Sequence, residues 1–276
     1  MRFDILTIFP DLLKSSLEEG IIRKALQEGK IAVHIHNLRD FTTDKHAMTD
    51  DRPFGGGEGM VMKPEPIVMA LEHVNRTAGA GHVVLLSPQG RIYRQKVAGE
   101  LAEKRHIVLI CGRYEGIDER VRQNFIQDEI SVGDYILSGG ELASLVLVDS
   151  ITRIIPGVLG SPASASRETF SSGLLKYPQY TRPREFRDFS VPEVLLSGDH
   201  TAILEWRLIE SLRQTARNRP DLLTNFEFSP EERKILKKSP RWLELIQDPR
   251  LGSLLKEKIC EKREGKERTE CESGST

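Results

Sequence analysis

Short apolar runs alternate with amphipathic stretches over the first 160 residues. Runs at 3–9, 31–37, 82–86, 106–111 and 130–132 are dense in Ile, Val, Leu and Phe and read as strands. Stretches at 11–28, 64–75, 94–102, 118–125 and 140–155 carry apolar residues at helical spacing. Strands that are apolar throughout, with helices between them, are buried on both faces. The pattern predicts an α/β fold around a mainly parallel sheet. Ligands in such sheets bind outside the carboxyl ends of the strands. Ser87-Pro88-Gln89-Gly90 and the loops around Gly112 and Gly133 all fall there.

Beyond residue 160 the pattern changes. Residues 161–177, beginning Ser161-Pro162-Ala163-Ser164-Ala165-Ser166-Arg167-Glu168, are poor in large apolar side chains and read as a flexible interdomain linker. Residues 178–255 predict a small, mostly helical domain. One amphipathic helix spans 201–217, with Ile203, Trp206, Leu208, Ile209 and Leu212 at helical spacing, and 229–255 is helical with a basic face. The polar stretch 256–276 is expected to be disordered.

At 276 residues the chain is long enough for one large domain and one small one. Its longest apolar runs fall far short of the ~20 residues of a membrane span, and Met1-Arg2-Phe3-Asp4 enters a strand with no signal-peptide pattern. A cytoplasmic protein that does not engage membranes is expected. Three cysteines without CxxC spacing indicate neither a disulfide framework nor zinc, and Cys111 reads as a small buried hydrophobe. The net charge of −1 does not advertise a nucleic-acid binder. Basic clusters at Arg182, Arg184 and Arg187, at Arg213, Arg217 and Arg219, and at Arg233, Lys234, Lys237 and Lys238 are interleaved with acids. Charge alone divides evenly between an RNA surface and solvated helix faces.

Several motifs can be weighed singly. Gly55-Gly56-Gly57-Glu58-Gly59 lacks the Gly-Lys-Ser/Thr ending of a P-loop, and no GxGxxG follows the first strand. A mobile cover over a bound substrate suits it better than a phosphate cradle. His34 and His36 share one side of a strand, but without a third ligand they read as ordinary strand histidines, and no metal site is expected. Arg153 ends an apolar helix, where a cation suits the helix dipole or, alternatively, aims into a site. Glu168, taken alone, is an exposed linker carboxylate.

The segment Ser131-Val132-Gly133-Asp134-Tyr135-Ile136-Leu137-Ser138-Gly139-Gly140-Glu141 places three glycines in eight residues between a strand end and a helix, more than a simple loop needs. Cys111-Gly112-Arg113-Tyr114-Glu115-Gly116-Ile117-Asp118-Glu119-Arg120 repeats the layout upstream. Together with Asp51-Arg52-Pro53-Phe54-Gly55-Gly56-Gly57-Glu58-Gly59-Met60, these segments resemble the bacterial tRNA (guanine-37-N1)-methyltransferase family, TrmD, of the SPOUT class. The likeness runs from Phe3 to about Leu223.

This resemblance implies a SPOUT domain over 1–160 with a deep trefoil knot, a rare exception to ordinary chain topology. It implies S-adenosylmethionine held in the knot loops by Leu86, Ser87, Pro88, Gln89, Gly112, Tyr114, Val132, Gly133, Asp134, Tyr135, Ile136, Leu137, Gly139 and Gly140. It further implies a homodimer with composite sites and a carboxyl domain that grips the anticodon arm of tRNA, with no role for DNA. The implied reaction is methylation of N1 of guanine 37 in tRNAs with G at position 36, with Mg2+ as a possible requirement. Glu168 would be the base at N1, Arg153 the cation near O6, and Glu115 a second contact to the guanine edge. The family most often has Asp where this chain has Glu168, so the carboxylate reaches one C–C bond, ~1.5 Å, further. The competing readings are a SPOUT methyltransferase with another RNA target and a non-catalytic RNA-binding module.

Overall fold

The computed structural model describes residues 1–159, 173–224 and 226–260. The chain forms two compact units, Met1–Ala165 and Ser166–Thr276. The first is an α/β unit: β1 (Arg2–Thr7), α1 (Asp11–Leu17), α2 (Gly20–Gln27), β2 (Ala32–Asn37), β3 (Asp50–Asp51), β4 (Val61–Met62), α3 (Pro64–Ala78), β5 (His82–Ile92), α4 (Gln95–Ala102), β6 (His106–Cys111), α5 (Glu119–Phe125), β7 (Asp128–Ser131) and α6 (Glu141–Ile154). Five of the strands form one parallel sheet in the order β2-β1-β6-β5-β7.

Alternate residues of β1, β5 and β6 feed two cores. Phe3, Ile5, Leu109 and Ile130 pack with α1, α2, α4 and α6 on one face. Leu6, Leu85, Val108 and Ile110 pack with α3 and α5 on the other. Both faces are covered, as the unbroken apolar runs require.

The predicted helix at 11–28 is two helices instead. Glu19 is extended and Gly20 takes φ +63°, a left-handed turn that stops the first helix. Strand β5 continues to Ile92, past its apolar run, because residues beyond Leu86 return to pair with β7.

The second unit is mostly helical. Its chain passes a short hairpin, β8 (Glu185–Phe186) and β9 (Phe189–Ser190), then α7 (His200–Asn218), α8 (Asp221–Thr224), α9 (Pro230–Lys238), α10 (Trp242–Gln247) and α11 (Gly252–Leu255). Asp199 caps α7 by accepting from the amides of Thr201 and Ala202. The single helix expected over 229–255 is cut twice, at Ser239 and Asp248. Each precedes a proline, and each is extended. Leu174, Ile209, Leu212, Phe226 and Leu236 form this unit's core. Several of its basic residues are internally paired: Arg213 with Glu210 and Glu244, Arg219 with Asp221, and Arg233 with Glu227. Among the described residues no helix is long and apolar enough to cross a membrane.

One charge lies inside the sheet. Asp4 is fully buried on β1 and accepts from Arg2 Nε at 2.6 Å, His36 Nε2 at 2.7 Å and His106 Nε2 at 2.7 Å. A carboxylate only accepts, so both imidazoles donate. His36 is thereby engaged with a strand carboxylate, and among the described residues no group of three or more His, Cys, Asp or Glu is placed to hold a metal ion. Burial alone would raise the Asp4 pKa and is the largest influence. The hydrogen bonds from His36, Arg2 and His106 together outweigh it and hold the carboxyl well below the usual carboxylate range.

A folded pKa below the unfolded value of about 3.9 means the stabilisation is present above that pH and is lost as pH falls through the acid range beneath it. Asp4→Asn removes the charge that Arg2, His36 and His106 donate to and should cost about 3 kcal/mol at pH 7. Urea melts from pH 7 down to pH 2 should show a lower midpoint and a flatter acid limb. An unchanged midpoint at pH 7 would mean that the cluster contributes nothing net.

Candidate active site

The strand order makes β6, β5 and β7 neighbours, so the loops leaving their carboxyl ends converge. They enclose a cavity of about 350 Å³, within the range of small-molecule sites. Its walls come from Leu86, Ser87, Pro88 and Gln89 where β5 bulges, from Gly112, Tyr114 and Glu115 after β6, and from Val132, Gly133, Tyr135, Ile136, Leu137, Gly139 and Gly140 after β7. Of the residues expected to bind a cofactor, Asp134 alone does not line it.

Gly140 is where the third loop meets the end of β6 backbone to backbone. A Cβ there would sit 2.7 Å from Cys111 Cα and 3.2 Å from the Gly112 nitrogen. The Gly140 amide donates to the Gly112 carbonyl at 2.9 Å, and Arg113 and Gly139 form an antiparallel bridge. Backbone contacts therefore stitch the third loop to the second at this point, and no side chain fits at position 140. Cys111 beneath is fully buried, and burial pushes its thiol well up, so it is not a nucleophile.

A buried polar network, not foreseen from the sequence, fixes the rim. Glu141, the first residue of α6, accepts from Thr7 Oγ1 at 2.7 Å and from Arg113 Nη2 at 3.1 Å. The helix amino terminus favours this negative charge. Arg113 also lies 4.2 Å above the Phe9 ring, a cation–π contact. The only sequence signal was an acid directly after the glycine pair.

Glu115 lines the cavity, and its backbone is held by β4. The Glu115 amide donates to the Met60 carbonyl at 3.0 Å, and the Met62 amide to the Gly116 carbonyl at 2.9 Å. Tyr114 beside it adopts φ +57°, a strained position for an aromatic residue and of a kind that clusters at functional sites. The glycine-rich loop before β4 carries positive φ at Gly55, Gly56, Gly57 and Gly59, and Phe54 at its tip is fully exposed. Asp118 caps α5 and pairs with Arg120, whose hydrogen bond is the main cause holding its carboxyl below the ordinary range.

Of the three expected catalytic residues, only Glu115 is seen at the cavity. Arg153 is in the last turn of α6, roughly 18 Å along the helix from its cavity end at 1.5 Å per residue, and does not line the cavity. Glu168 falls outside the described residues.

Comparison with known proteins bears on the whole arrangement. Residues 1–225 match the family model described as tRNA (Guanine-1)-methyltransferase TrmD. A tRNA (guanine-N(1)-)-methyltransferase of Geobacter metallireducens is 52% identical over 236 residues, covering 86% of this chain and 96% of that one. Its counterpart in Geobacillus kaustophilus is 52% identical over 237 residues, covering 86% and 97%. Among solved structures, the tRNA (m1G37) methyltransferase from Aquifex aeolicus matches with a TM-score of 0.68 at 43% identity, over 81% of this chain and 95% of that one. With a match across most of its length and half its residues shared with such relatives, the chain belongs to the TrmD family of tRNA (guanine-1)-methyltransferases.

Proposed function

We propose that this chain is a cytoplasmic, S-adenosylmethionine-dependent methyltransferase acting on N1 of guanine 37 in tRNAs with G at position 36. The observation that carries the reading is the glycine-stitched cavity at the carboxyl ends of β6, β5 and β7, in a chain of this family. Leu86, Ile130, Val132 and Leu137 offer apolar walls suited to a purine, and the backbone around Gly112 and Gly140 offers polar edges. The deep knot of the SPOUT class is part of this proposal. Among the described residues no group of three or more His, Cys, Asp or Glu side chains is placed to hold Mg2+.

Bound S-adenosylmethionine supplies a methyl group made electrophilic by its sulfonium. The protein must make guanine N1 a nucleophile. Glu168 accepts the N1 proton as the N1–C bond forms and the S–C bond breaks. The electron density left by that proton spreads onto O6, where the Arg153 guanidinium stabilises it. Glu115 accepts from the guanine edge and holds the base in line with the methyl group. Asp118 is a poor substitute base, since its carboxylate is committed to Arg120 and a helix cap.

The position of Arg153 supports a homodimer with shared sites. Leu142, Val146 and Arg153 lie on one face of α6. Leu142 and Val146 are 57% and 48% exposed, and Phe9 and Leu12 are also exposed. Apolar residues grouped on one face call for a cover, and a second copy would bring its Arg153 to this cavity. In the second unit, Phe186 and Phe189 are exposed on the β8–β9 hairpin beside Arg184 and Arg187. Aromatic rings with arginines suit RNA bases and backbone, which supports assigning tRNA binding to this unit.

A transcript with G36-G37 should be methylated and one with A37 should not. Glu168→Gln should lower the single-turnover rate by about 10²–10⁴-fold with little change in cofactor or tRNA affinity, whereas Glu168→Asp should stay active. A Gln variant within a few-fold of the parent would exclude Glu168 as the base.

Gly140→Val should abolish S-adenosylmethionine binding by calorimetry in a folded dimer. Mixed with Arg153→Ala it tests shared sites, because heterodimers should regain one working site. If subunit exchange is demonstrated and no activity returns, both residues act within one subunit.

A further inference from the structure

Residues 87–90 leave β5 as a four-residue bulge, since Leu86 and Arg91 both register against Ile130 of β7. The base of this bulge is rigid. Gly90 lies so close to β7 that a Cβ would sit 2.3 Å from the Ile130 nitrogen. Arg91 clamps Asp128 through Nε at 3.0 Å and Nη2 at 2.7 Å, and Glu100 through Nη1 at 2.7 Å. The tip carries Gln89 over the cavity, and its side chain is held by one contact to another element. Arg122 of α5 donates from Nη1 to Gln89 Oε1. Arg122 is itself steered by Glu119 at 3.4 Å and Glu129 at 3.6 Å, and it also lines the cavity.

We propose that Arg122 is a positioning residue that fixes which end of the Gln89 amide the cofactor meets. A guanidinium has only donors, so the atom it holds must be the amide oxygen. The Gln89 NH2 is then left to donate to an acceptor on the bound molecule: a purine ring nitrogen, a ribose hydroxyl or the carboxylate. Without Arg122 the amide rotates freely and presents oxygen as readily as nitrogen, so the hydrogen bond is lost for part of the time. The inference rests on the cavity being the S-adenosylmethionine site. It assigns Arg122 no direct contact with the cofactor.

The test is a double-mutant cycle on cofactor affinity, read by calorimetry with S-adenosylmethionine and with S-adenosylhomocysteine. Gln89→Ala should weaken binding by about 3–10-fold, the worth of one neutral hydrogen bond, and Arg122→Met by about 2-fold, since the freed amide still presents its NH2 about half the time. The double variant should be no weaker than the weaker single variant, because both remove the same contact. Both ligands should lose equally, since they share every acceptor and differ only in the methyl group and charge at sulfur. Additive losses, or a loss that differs between the charged and uncharged ligand, would show Arg122 acting on the cofactor itself and overturn the inference. Unchanged affinity in Gln89→Ala would overturn it too, even if Arg122→Met failed to fold. If the parent protein bound neither ligand, the assignment of the cavity would fall first, a result distinct from normal parent binding with unaffected variants.

Discussion

The contact of Gly140 with Cys111 and Gly112 is the constraint on which the site depends. The loop after β7 must cross the end of β6 at a backbone-to-backbone distance, and the Gly140–Gly112 hydrogen bond holds it there. Everything at the rim follows from that crossing. It sets the start of α6, which places Glu141 where Thr7 and Arg113 can reach it. It brings Gly139 into a bridge with Arg113 and so aligns the loop that carries Tyr114 and Glu115. It also closes one wall of the cavity without spending side-chain volume on it. A side chain at 140 would have to push two packed strands apart, and an interior at crystal-like density resists that strongly.

Strand β1 is fixed by charge near both ends. Asp4 gathers Arg2, His36 and His106 close to its start, and Thr7 at its end bonds Glu141, which pairs with Arg113. Buried ion pairs cost much of their Coulomb energy in desolvation, so neither network is a large net source of stability. What they supply is register and position. A slip of one residue in β1 would move Asp4 into the apolar core on the other face and leave several charged or polar groups unpaired. Strand β1, which pairs with β2 and β6 on its two sides, thus has one arrangement that satisfies its polar groups.

Legibility in the sequence divided along the same physical line. Local patterns were readable. Continuous apolar runs identified β1, β2, β5 and β6, and three glycines in eight residues signalled a close backbone approach. Pro240 and Pro249 are equally plain in the sequence and break the last helical stretch. What the glycines approach could not be read, because Cys111 and Gly140 meet only once the sheet order is set. Asp4 passed as one polar residue in a strand, since its partners come from β2 and β6. The Thr7–Glu141 bond joins residues 134 positions apart, beyond any local period. The ladders β3–β4 and β8–β9 are two residues per strand and leave no alternation to detect. Of the candidate site, the loops were legible as loops, and the family resemblance rather than any pattern selected their residues.

The cavity itself is built largely from backbone and apolar walls, and Arg153, assigned to charge stabilisation, does not line it. Arg153 is a helix length away from the cavity end of α6, and the proposed base, Glu168, comes from beyond the loops that build the cavity in sequence. On the proposed reading this separation has a kinetic meaning. Each subunit can hold a reactive methyl donor without an aligned base, so neither water nor a stray nucleophile is activated beside it. The base and the cation join the site only when a second copy and a bound tRNA supply them, which makes correct substrate binding a condition for assembling the catalytic groups. Binding energy from the distant tRNA surface is then used where it raises the rate of the chemical step rather than the affinity of the complex.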